Sequence, residues 1–167
     1  MNRSRPLVLV DHDPAWPERY EHERRAIETA LGDTLREIHH IGSTAVPGLR
    51  SKPVIDILLG LTRLEPTQDE VAAMAGTGFQ YLGDYGIPER CYFAKDDCHA
   101  HGFLIGQGQW EAHLRFRDYL RVNADARERY AAAKLEIAVR VGWDRRRYVD
   151  EKERVVARIL REAPPLP

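Results

Sequence analysis

The pattern of apolar positions divides the chain into a strand-rich part and a helical part. Up to residue 105, apolar residues form short runs separated by glycine, proline and aspartate, whereas from Trp110 onward they recur every three or four residues. The short runs predict strands over 7–10, 35–41, 54–61, 79–82, 91–95 and 99–105. The run VIDILLGL at 54–61 is almost wholly apolar, which is typical of a central strand covered on both faces.

Helical spacing predicts five helices. The first carries an apolar stripe from Trp16 to Leu31, begins at Asp13-Pro14, where an N-cap precedes a proline, and ends at Gly32. The others are predicted at about 66–76, 109–122, 125–141 and 147–163. Strands with early helices among them, followed by three helices, predict a single α+β domain over 1–167. Its mixed, twisted sheet has about five strands, with an N-terminal helix and a helical C-terminal half.

Composition excludes several classes of protein. The chain is 43% hydrophobic and 31% charged, which is typical of a soluble globular protein rather than a disordered one. Mean hydropathy is -0.50, and no apolar run approaches the roughly 18 residues of a membrane span, so we expect no membrane partner. The run at 7–10 is too short for a signal-peptide core, which favours a cytoplasmic location. Cys91 and Cys98 do not form a C-x-x-C pair and are interpreted as reduced, structural thiols.

Charge is balanced overall but unevenly distributed. A net charge of -1 excludes a globally basic nucleic-acid coat, and we expect no nucleic-acid partner. Residues 1–114 hold 11 Lys/Arg and 17 Asp/Glu, whereas residues 115–161 hold 14 and 8. The basic half either faces phosphate groups, docks on the acidic half, or is simply solvated.

One acidic residue interrupts the predicted central strand. Asp56 has only apolar neighbours within two positions, and a carboxylate placed there must be paired, hydrogen-bonded or metal-bound, because burying it alone is costly. One interpretation is a structural aspartate that accepts backbone N–H groups. The other is a functional group, because Gly42-Ser43 ends the preceding strand and could face the same cleft.

The Gly42-Ser43 turn has the chemistry of a phosphate site. Glycine lets the backbone approach a phosphate closely, and Ser43 offers a hydroxyl and an N–H donor. A divalent cation such as Mg²⁺ would then bridge the phosphate to Asp56. Both Ser43 and Asp56 are therefore candidate catalytic residues.

Two histidines on the last predicted strand extend this candidate site. His99 and His101 lie two positions apart, so both rings address one face of the sheet and could join Asp56 in holding a metal such as Zn²⁺. They could also hydrogen-bond a phosphate, or form an ordinary polar strand face. His39 and His40 precede the Gly42-Ser43 turn, and at most one of them can face the cleft.

Basic residues supply candidate anion contacts. Lys52 lies in the loop between the two strands, and Arg117 lies near the apolar stripe of its helix, where it needs a carboxylate or a phosphate partner. The alternative is a structural pair of Arg117 with Asp56 or with another aspartate. Arg90 is a further candidate, and the wider set of basic residues also contains Lys95, Arg115, Lys134 and Lys152.

Six segments together resemble one family. They are HIGSTAVPGLRSKPVIDILLGL, WPERYEHERRAI, HAHGFLIG, WEAHLRFRDYLR, ERYAAAKLEIA and RRRYVDEKERVV. The chain resembles the GrpB-like family of small bacterial proteins, which is similar in turn to the polymerase-beta-like nucleotidyltransferase superfamily. The resemblance implies a nucleotidyltransferase-like fold. Some relatives are fused to dephospho-coenzyme A kinase, which implies a helper role in coenzyme A chemistry.

The chain departs from the superfamily signature at one position. That signature is Gly-Ser, about ten residues, then Asp-x-Asp, with a third acid on a later strand, so that two metals can be held. Asp56 takes the place of the second aspartate and Val54 that of the first, while His99 and His101 stand on the later strand.

These observations predict a protein that binds a small phosphate or nucleotide ligand, with Mg²⁺-dependent nucleotidyl or phosphoryl transfer as the associated reaction. Gly42, Ser43, Lys52, Arg90 and Arg117 would contact the ligand. Two alternatives stay open: a non-catalytic module that binds nucleotides or coenzyme A precursors, and a metal-dependent hydrolase.

Overall fold

The computed structural model describes residues 6–166, and the predicted sequence of elements recurs in it with small shifts at the ends. The helices are α1 (Trp16–Leu31), α2 (Gln68–Gly76), α3 (Gly108–Val122), α4 (Ala124–Arg140) and α5 (Arg145–Glu162). The strands are β1 (Leu35–Ile41), β2 (Ile55–Leu61), β3 (Gln80–Tyr81), β4 (Cys91–Lys95) and β5 (Cys98–Leu104).

The five strands form one mixed sheet in the order β1-β2-β5-β4-β3. β2 and β5 pair in parallel, and the other neighbours are antiparallel. The most apolar strand, β2, therefore lies inside the sheet, as its sequence predicts. The α+β class and the count of about five strands are confirmed.

The predicted strand at 7–10 is wrong. Val10 forms only an isolated bridge with Ser51, through hydrogen bonds of 2.8 and 2.9 Å between the two backbones. Leu7 is buried in a separate cluster with Ile137 and Tyr148, which belong to α4 and α5. This apolar run therefore packs against α4 and α5. A short apolar run can form either a strand or such a contact, and its sequence alone does not distinguish the two.

The start of α1 also differs from the prediction. The Asp13 carboxylate accepts a hydrogen bond from the N–H of Ala15 at 2.9 Å, and its carbonyl accepts one from Trp16 at 3.1 Å. These bonds form a turn ahead of the helix, so Pro17 rather than Pro14 lies in the first helical turn. The predicted stop at Gly32 is confirmed as the C-cap.

Alternation along β2 divides its side chains between two layers. Ile55, Ile57 and Leu59 belong to the core that contains α1 and α2, whereas Leu58 packs with Trp110 of α3. Since side chains in a strand alternate, Asp56 lies on the same face as Leu58, beneath the C-terminal helices. The sheet thus separates an apolar core on one side from the candidate site on the other.

Both cysteines are free and buried. They lie on neighbouring strands but out of register, since Cys91 pairs with Gly102 and Cys98 with Lys95. Burial raises the pKa of Cys91 to about 12, so this thiol stays protonated at neutral pH. No helix of residues 6–166 is both long and apolar enough to cross a membrane.

Candidate functional site

A cavity of about 200 Å³ lies between the sheet and the three C-terminal helices. It brings Ser43 and Asp56 together, as their spacing predicts. Its lining comprises Ile41, Gly42, Ser43, Ser51, Lys52, Val54, Asp56, His99, His101, His113, Phe116, Tyr130, Lys134, Tyr148, Lys152 and Val156.

Strand pairing places both histidines of β5 beside Asp56. The parallel register sets Asp56 opposite His99, and His101 follows on the same face. Asp56 Oδ1 lies 3.3 Å from His101 Nε2 and 3.5 Å from His99 Nδ1. Burial alone would raise the pKa of Asp56, but the hydrogen bonds from the two histidines and their nearby charge hold it well below its ordinary value. Asp56 is therefore ionised and already partnered.

Contacts on the far side of His101 determine its tautomer. Arg90 Nη1 lies 3.5 Å from His101 Nδ1, and a guanidinium can only donate. His101 Nδ1 must then accept, so the proton lies on Nε2 and is donated to Asp56. Arg90 also donates to the carbonyl oxygens of Asp84 and Tyr85 at 3.1 Å. It reaches the site only through His101 and is not among the lining residues.

Gly42 allows Asp56 to approach the backbone. Its φ is +70°, and a Cβ placed there would lie 2.7 Å from Asp56 Oδ2. Any larger residue would therefore be strained in its backbone and would displace the carboxylate. The sequence analysis explained this glycine by the close approach of a phosphate to the backbone. In the structure, the group that lies close to the backbone at Gly42 is the Asp56 carboxylate.

Three lysines reach the cavity from different parts of the chain. Lys52 comes from the loop before β2, Lys134 from α4 and Lys152 from α5. Burial, together with the charges of Lys152 and Lys52, lowers the pKa of Lys134 to about 7. Burial and the charge of Lys152 lower the pKa of Lys52 to about 8. For Lys152, the interaction with Tyr130 raises the pKa against the opposing effect of burial.

The partners of Lys134 are uncharged. Its side chain is only 3% exposed, and its Nζ donates to Ser43 Oγ at 3.2 Å and to the carbonyl oxygen of Arg50. Nζ also lies 4.8 Å from the centre of the Tyr130 ring. Within residues 6–166, no carboxylate oxygen is within 4 Å of the ammonium group of any of the three cavity lysines. The charge of Asp56 acts on Lys52 and Lys152 only from a distance, and the cavity therefore sets one carboxylate against three lysines.

Arg117 lies outside the cavity. Its guanidinium forms a salt bridge of 2.7 Å with Asp118 and donates to the carbonyl oxygen of His40 at 3.2 Å. Arg117 is therefore paired with a carboxylate for a structural purpose, but this carboxylate belongs to the adjacent Asp118 and not to Asp56. Spacing could not show this, because residues one apart on a helix normally diverge.

Two other basic candidates also have structural partners. Lys95 forms a salt bridge of 2.7 Å with Glu23 of α1. Arg115 donates to carbonyl oxygens at the end of α5, at 3.2 Å for Leu160 and 2.9 Å for Pro164. These contacts hold helices in place, and neither residue lines the cavity.

Neither histidine of the His39-His40 pair lines the cavity. The ring of His40 stacks on Tyr20 with 4.9 Å between centroids, and its Nε2 lies 2.9 Å from Thr44 Oγ1. Burial lowers the pKa of His40 to about 4. His39 points to the other face, near Trp110.

Sequence reasoning missed His113. Its ring centre lies 5.9 Å from that of His101, and burial lowers its pKa to about 4. His113 precedes Phe116 by three positions, so the apolar stripe of α3 could have located it. Tyr130 and Tyr148, both buried, form part of the cavity wall.

Asp56, His99 and His101 could together hold a metal ion. Each offers one ligand atom, and these atoms lie within 4.8 Å of one another. Two imidazoles and one carboxylate suit Zn²⁺ or another transition metal, whereas Mg²⁺ prefers oxygen ligands and finds one carboxylate here. A metal-bound histidine normally donates its other N–H to an acceptor, but Arg90 presents a donor to His101. The donor set thus fits Mg²⁺ poorly and fits a transition metal only when Arg90 turns away.

Comparisons with known proteins agree with this fold. The chain is 40% identical over 165 residues to a UPF0157 protein of Pseudomonas aeruginosa, covering 94% of this chain and 67% of the relative. It is 27% identical to a dephospho-CoA kinase of Mycobacterium bovis over 89% of this chain, which corresponds to 44% of that protein. The crystal structure of conserved protein GrpB from Enterococcus faecalis superposes with a TM-score of 0.78 at 26% identity, covering 93% of this chain and 98% of that one. Residues 6–162 match the family model described as GrpB protein, and the chain therefore belongs to the GrpB family.

Proposed function

We propose that the cavity binds a small phosphorylated compound. The observation that supports this most strongly is that Lys52, Lys134 and Lys152 line one cavity with Ser43, which Lys134 contacts, while none of the three has a carboxylate oxygen within 4 Å among residues 6–166. Burying like charges together is unfavourable, and a dianionic phosphate would relieve their repulsion while accepting their hydrogen bonds.

The size of the cavity limits the ligand. Its volume of about 200 Å³ is below the roughly 300 Å³ at which sites for drug-sized ligands begin. The phosphoryl end would lie among the lysines, and a larger remainder, such as a nucleoside, would extend beyond the cavity. The relatives named dephospho-CoA kinase make dephospho-CoA a natural member of the first ligand panel.

Binding is better supported than nucleotidyl transfer. The nucleotidyltransferase-like resemblance leaves one carboxylate, Asp56, and this group already accepts hydrogen bonds from two histidines. Mg²⁺-dependent transfer would need further oxygen ligands from the substrate. The chain's own residues would bind and neutralise the phosphate, with Ser43 as an additional hydroxyl contact.

Isothermal titration with inorganic phosphate, AMP, ATP and dephospho-CoA tests this proposal. We expect saturable binding that weakens at least tenfold in Lys52→Met and Lys152→Met, about 1.4 kcal/mol each, because each removes a charge-assisted contact. Lys95→Met is the matched control, since Lys95 is paired with Glu23 away from the cavity. Absence of phosphate binding, or equal affinity in all three variants, would contradict the proposal.

The cluster of Asp56, His99 and His101 favours a second candidate, a hydrolase that uses a transition metal. Titration with Zn²⁺ or Mn²⁺ in the absence of phosphate tests it, with His101→Ala expected to abolish binding and His39→Ala to preserve it. Arg90→Met should tighten binding, because it removes the donor that opposes metal ligation by His101. A wild-type protein that binds neither ion excludes this candidate.

A further inference from the structure

Ser43 has a base within reach that the sequence does not indicate. Its hydroxyl lies 3.2 Å from Lys134 Nζ, across 91 positions of sequence. A serine hydroxyl is a weak nucleophile unless a neighbouring group takes its proton, and lysine serves this role in serine–lysine pairs on several unrelated folds. The chain has no G-x-S-x-G turn, so its sequence carries no sign of a serine nucleophile of that kind.

We propose that Ser43 and Lys134 form a nucleophile and general-base pair, so that the cavity acts covalently on the phosphoryl group of its ligand. This inference rests on the proposed function for its substrate class, but the nucleophile itself is testable without any anion.

The surroundings of Lys134 favour the neutral amine that a base requires. The side chain is almost fully buried, has no carboxylate partner among the described residues, and shares the cavity with Lys52 of the loop and Lys152 of α5. The other titratable groups around the cavity are Tyr130 and Tyr148 of the helices and Asp56, His99, His101 and His113. The pKa of about 7 follows from burial and from the two neighbouring lysines. A neutral amine can still donate to the Arg50 carbonyl while rotation about its Cε–Nζ bond presents the lone pair, rather than an N–H, to Ser43.

The proposed reaction consists of two displacements at phosphorus, and Lys134 carries the proton in both. Ser43 Oγ forms a bond to phosphorus while its proton passes to Lys134 Nζ, and the bond from phosphorus to the leaving oxygen breaks with its electron pair. The leaving oxygen then takes the proton from Lys134. A water molecule, deprotonated by the same amine, hydrolyses the phosphoserine and restores the hydroxyl. Lys52 and Lys152 would neutralise the phosphoryl oxygens.

Methanesulfonyl fluoride, a small uncharged serine reagent, tests the pair directly. Attack by Ser43 forms the sulfonate ester and releases fluoride, with the proton taken up by Lys134. Mass spectrometry of the digested protein should locate the adduct on Ser43, at a rate that rises through pH 7 and levels off. Ser43→Ala should abolish it, whereas Ser51→Ala, the matched change of another cavity serine, should leave it unchanged.

Two lysine variants separate this inference from phosphate binding. Lys134→Arg keeps the charge but removes the base, so labelling should fall at least a hundredfold while phosphate still binds. Lys52→Met should weaken phosphate binding and move the midpoint of the labelling profile to higher pH, because the charge of Lys52 helps to lower the pKa of Lys134; the plateau rate at high pH should persist, because the hydrogen bond to Ser43 comes from Lys134. An unlabelled wild-type protein, an adduct on another residue, or equal labelling in Lys134→Arg would overturn the inference; loss of phosphate binding alone would overturn only the proposed function.

Discussion

The two walls of the cavity handle buried charge in opposite ways. On the sheet, Asp56 is surrounded by His99 and His101, which stabilise its negative charge. On the helices, Lys134 and Lys152 face the cavity without a carboxylate within salt-bridge range among residues 6–166. The sheet wall therefore holds a carboxylate with two partners, whereas the helical wall holds two lysines without a carboxylate partner, and this difference supports the proposal of an anionic ligand.

Lys134→Met should produce the largest change in the free energy of unfolding. Lys134 is the most buried of the three cavity lysines, and its hydrogen-bond partners are uncharged. The folded pKa of about 7 lies below the ordinary value of 10.5, so the unfolded state binds the additional proton between these values. The stability of the wild type relative to the variant should therefore rise with pH above 7, by up to about 1.4 kcal/mol per unit. Urea unfolding at pH 7 to 9 measures this, and a difference that falls with pH would contradict it.

Gly42→Ala should disrupt the sheet wall and cost about 2–4 kcal/mol. The backbone at Gly42, with φ +70° and ψ -170°, lies in a region that essentially only glycine adopts and alone costs an alanine about 1–3 kcal/mol, and the new Cβ must also displace the Asp56 carboxylate. Gly48→Ala is the matched control, because Gly48 has φ +76° but a Cβ added there would meet nothing within 4 Å. Equal losses in urea unfolding would show that the approach to Asp56 is not constrained.

His40→Gln should reduce the loss of folding stability that occurs as the pH falls from 7 to 4. Burial holds the folded pKa of His40 near 4, below its ordinary 6.5, so protonation of the unfolded state destabilises the wild type as pH falls between these values. The effect should reach about 2–3 kcal/mol at pH 4 and be absent above pH 7. Unfolding curves from pH 4 to 7 measure it, and parallel profiles for the two proteins would exclude His40 as the source.

Arg117→Gln should change phosphate affinity least, by less than about twofold. Arg117 is paired with Asp118 and the His40 carbonyl and does not line the cavity. Calorimetry measures the affinity, with Lys152→Met beside it as the variant expected to lose binding. A comparable loss for Arg117→Gln would mean that positive charge outside the cavity contributes as much as the helical wall.

Local periodicity predicted most of the elements because each depends on its own residues. β1 was predicted over 35–41 and occupies Leu35–Ile41, and α3 begins within one residue of its prediction. The run at 7–10 was misassigned because its role depends on α4 and α5, more than 120 positions away. Tertiary contacts therefore decided the structure of this segment, which its local pattern predicted wrongly.

The candidate site was predictable only on its sheet side. Alternation places His99 and His101 on one face, and the structure adds the parallel register that sets them beside Asp56. Nothing in the sequence distinguishes Lys134, which reaches Ser43, from Lys95, which pairs with Glu23. Which lysine enters the cavity depends on how helices dock, and that information is not local.

The strand order has a consequence for biosynthesis. β5 is the last strand to leave the ribosome, yet it lies between β2 and β4. Until it emerges, those two strands each present an open edge with unpaired backbone groups, which can pair with other chains. At synthesis rates of about 5–20 residues per second, the edge of β2 stays open for roughly 2–9 seconds until β5 is complete, and the edge of β4 for no more than about 2 seconds. Insertion of one seven-residue segment, Cys98–Leu104, closes both edges at once and delivers the two histidines to Asp56.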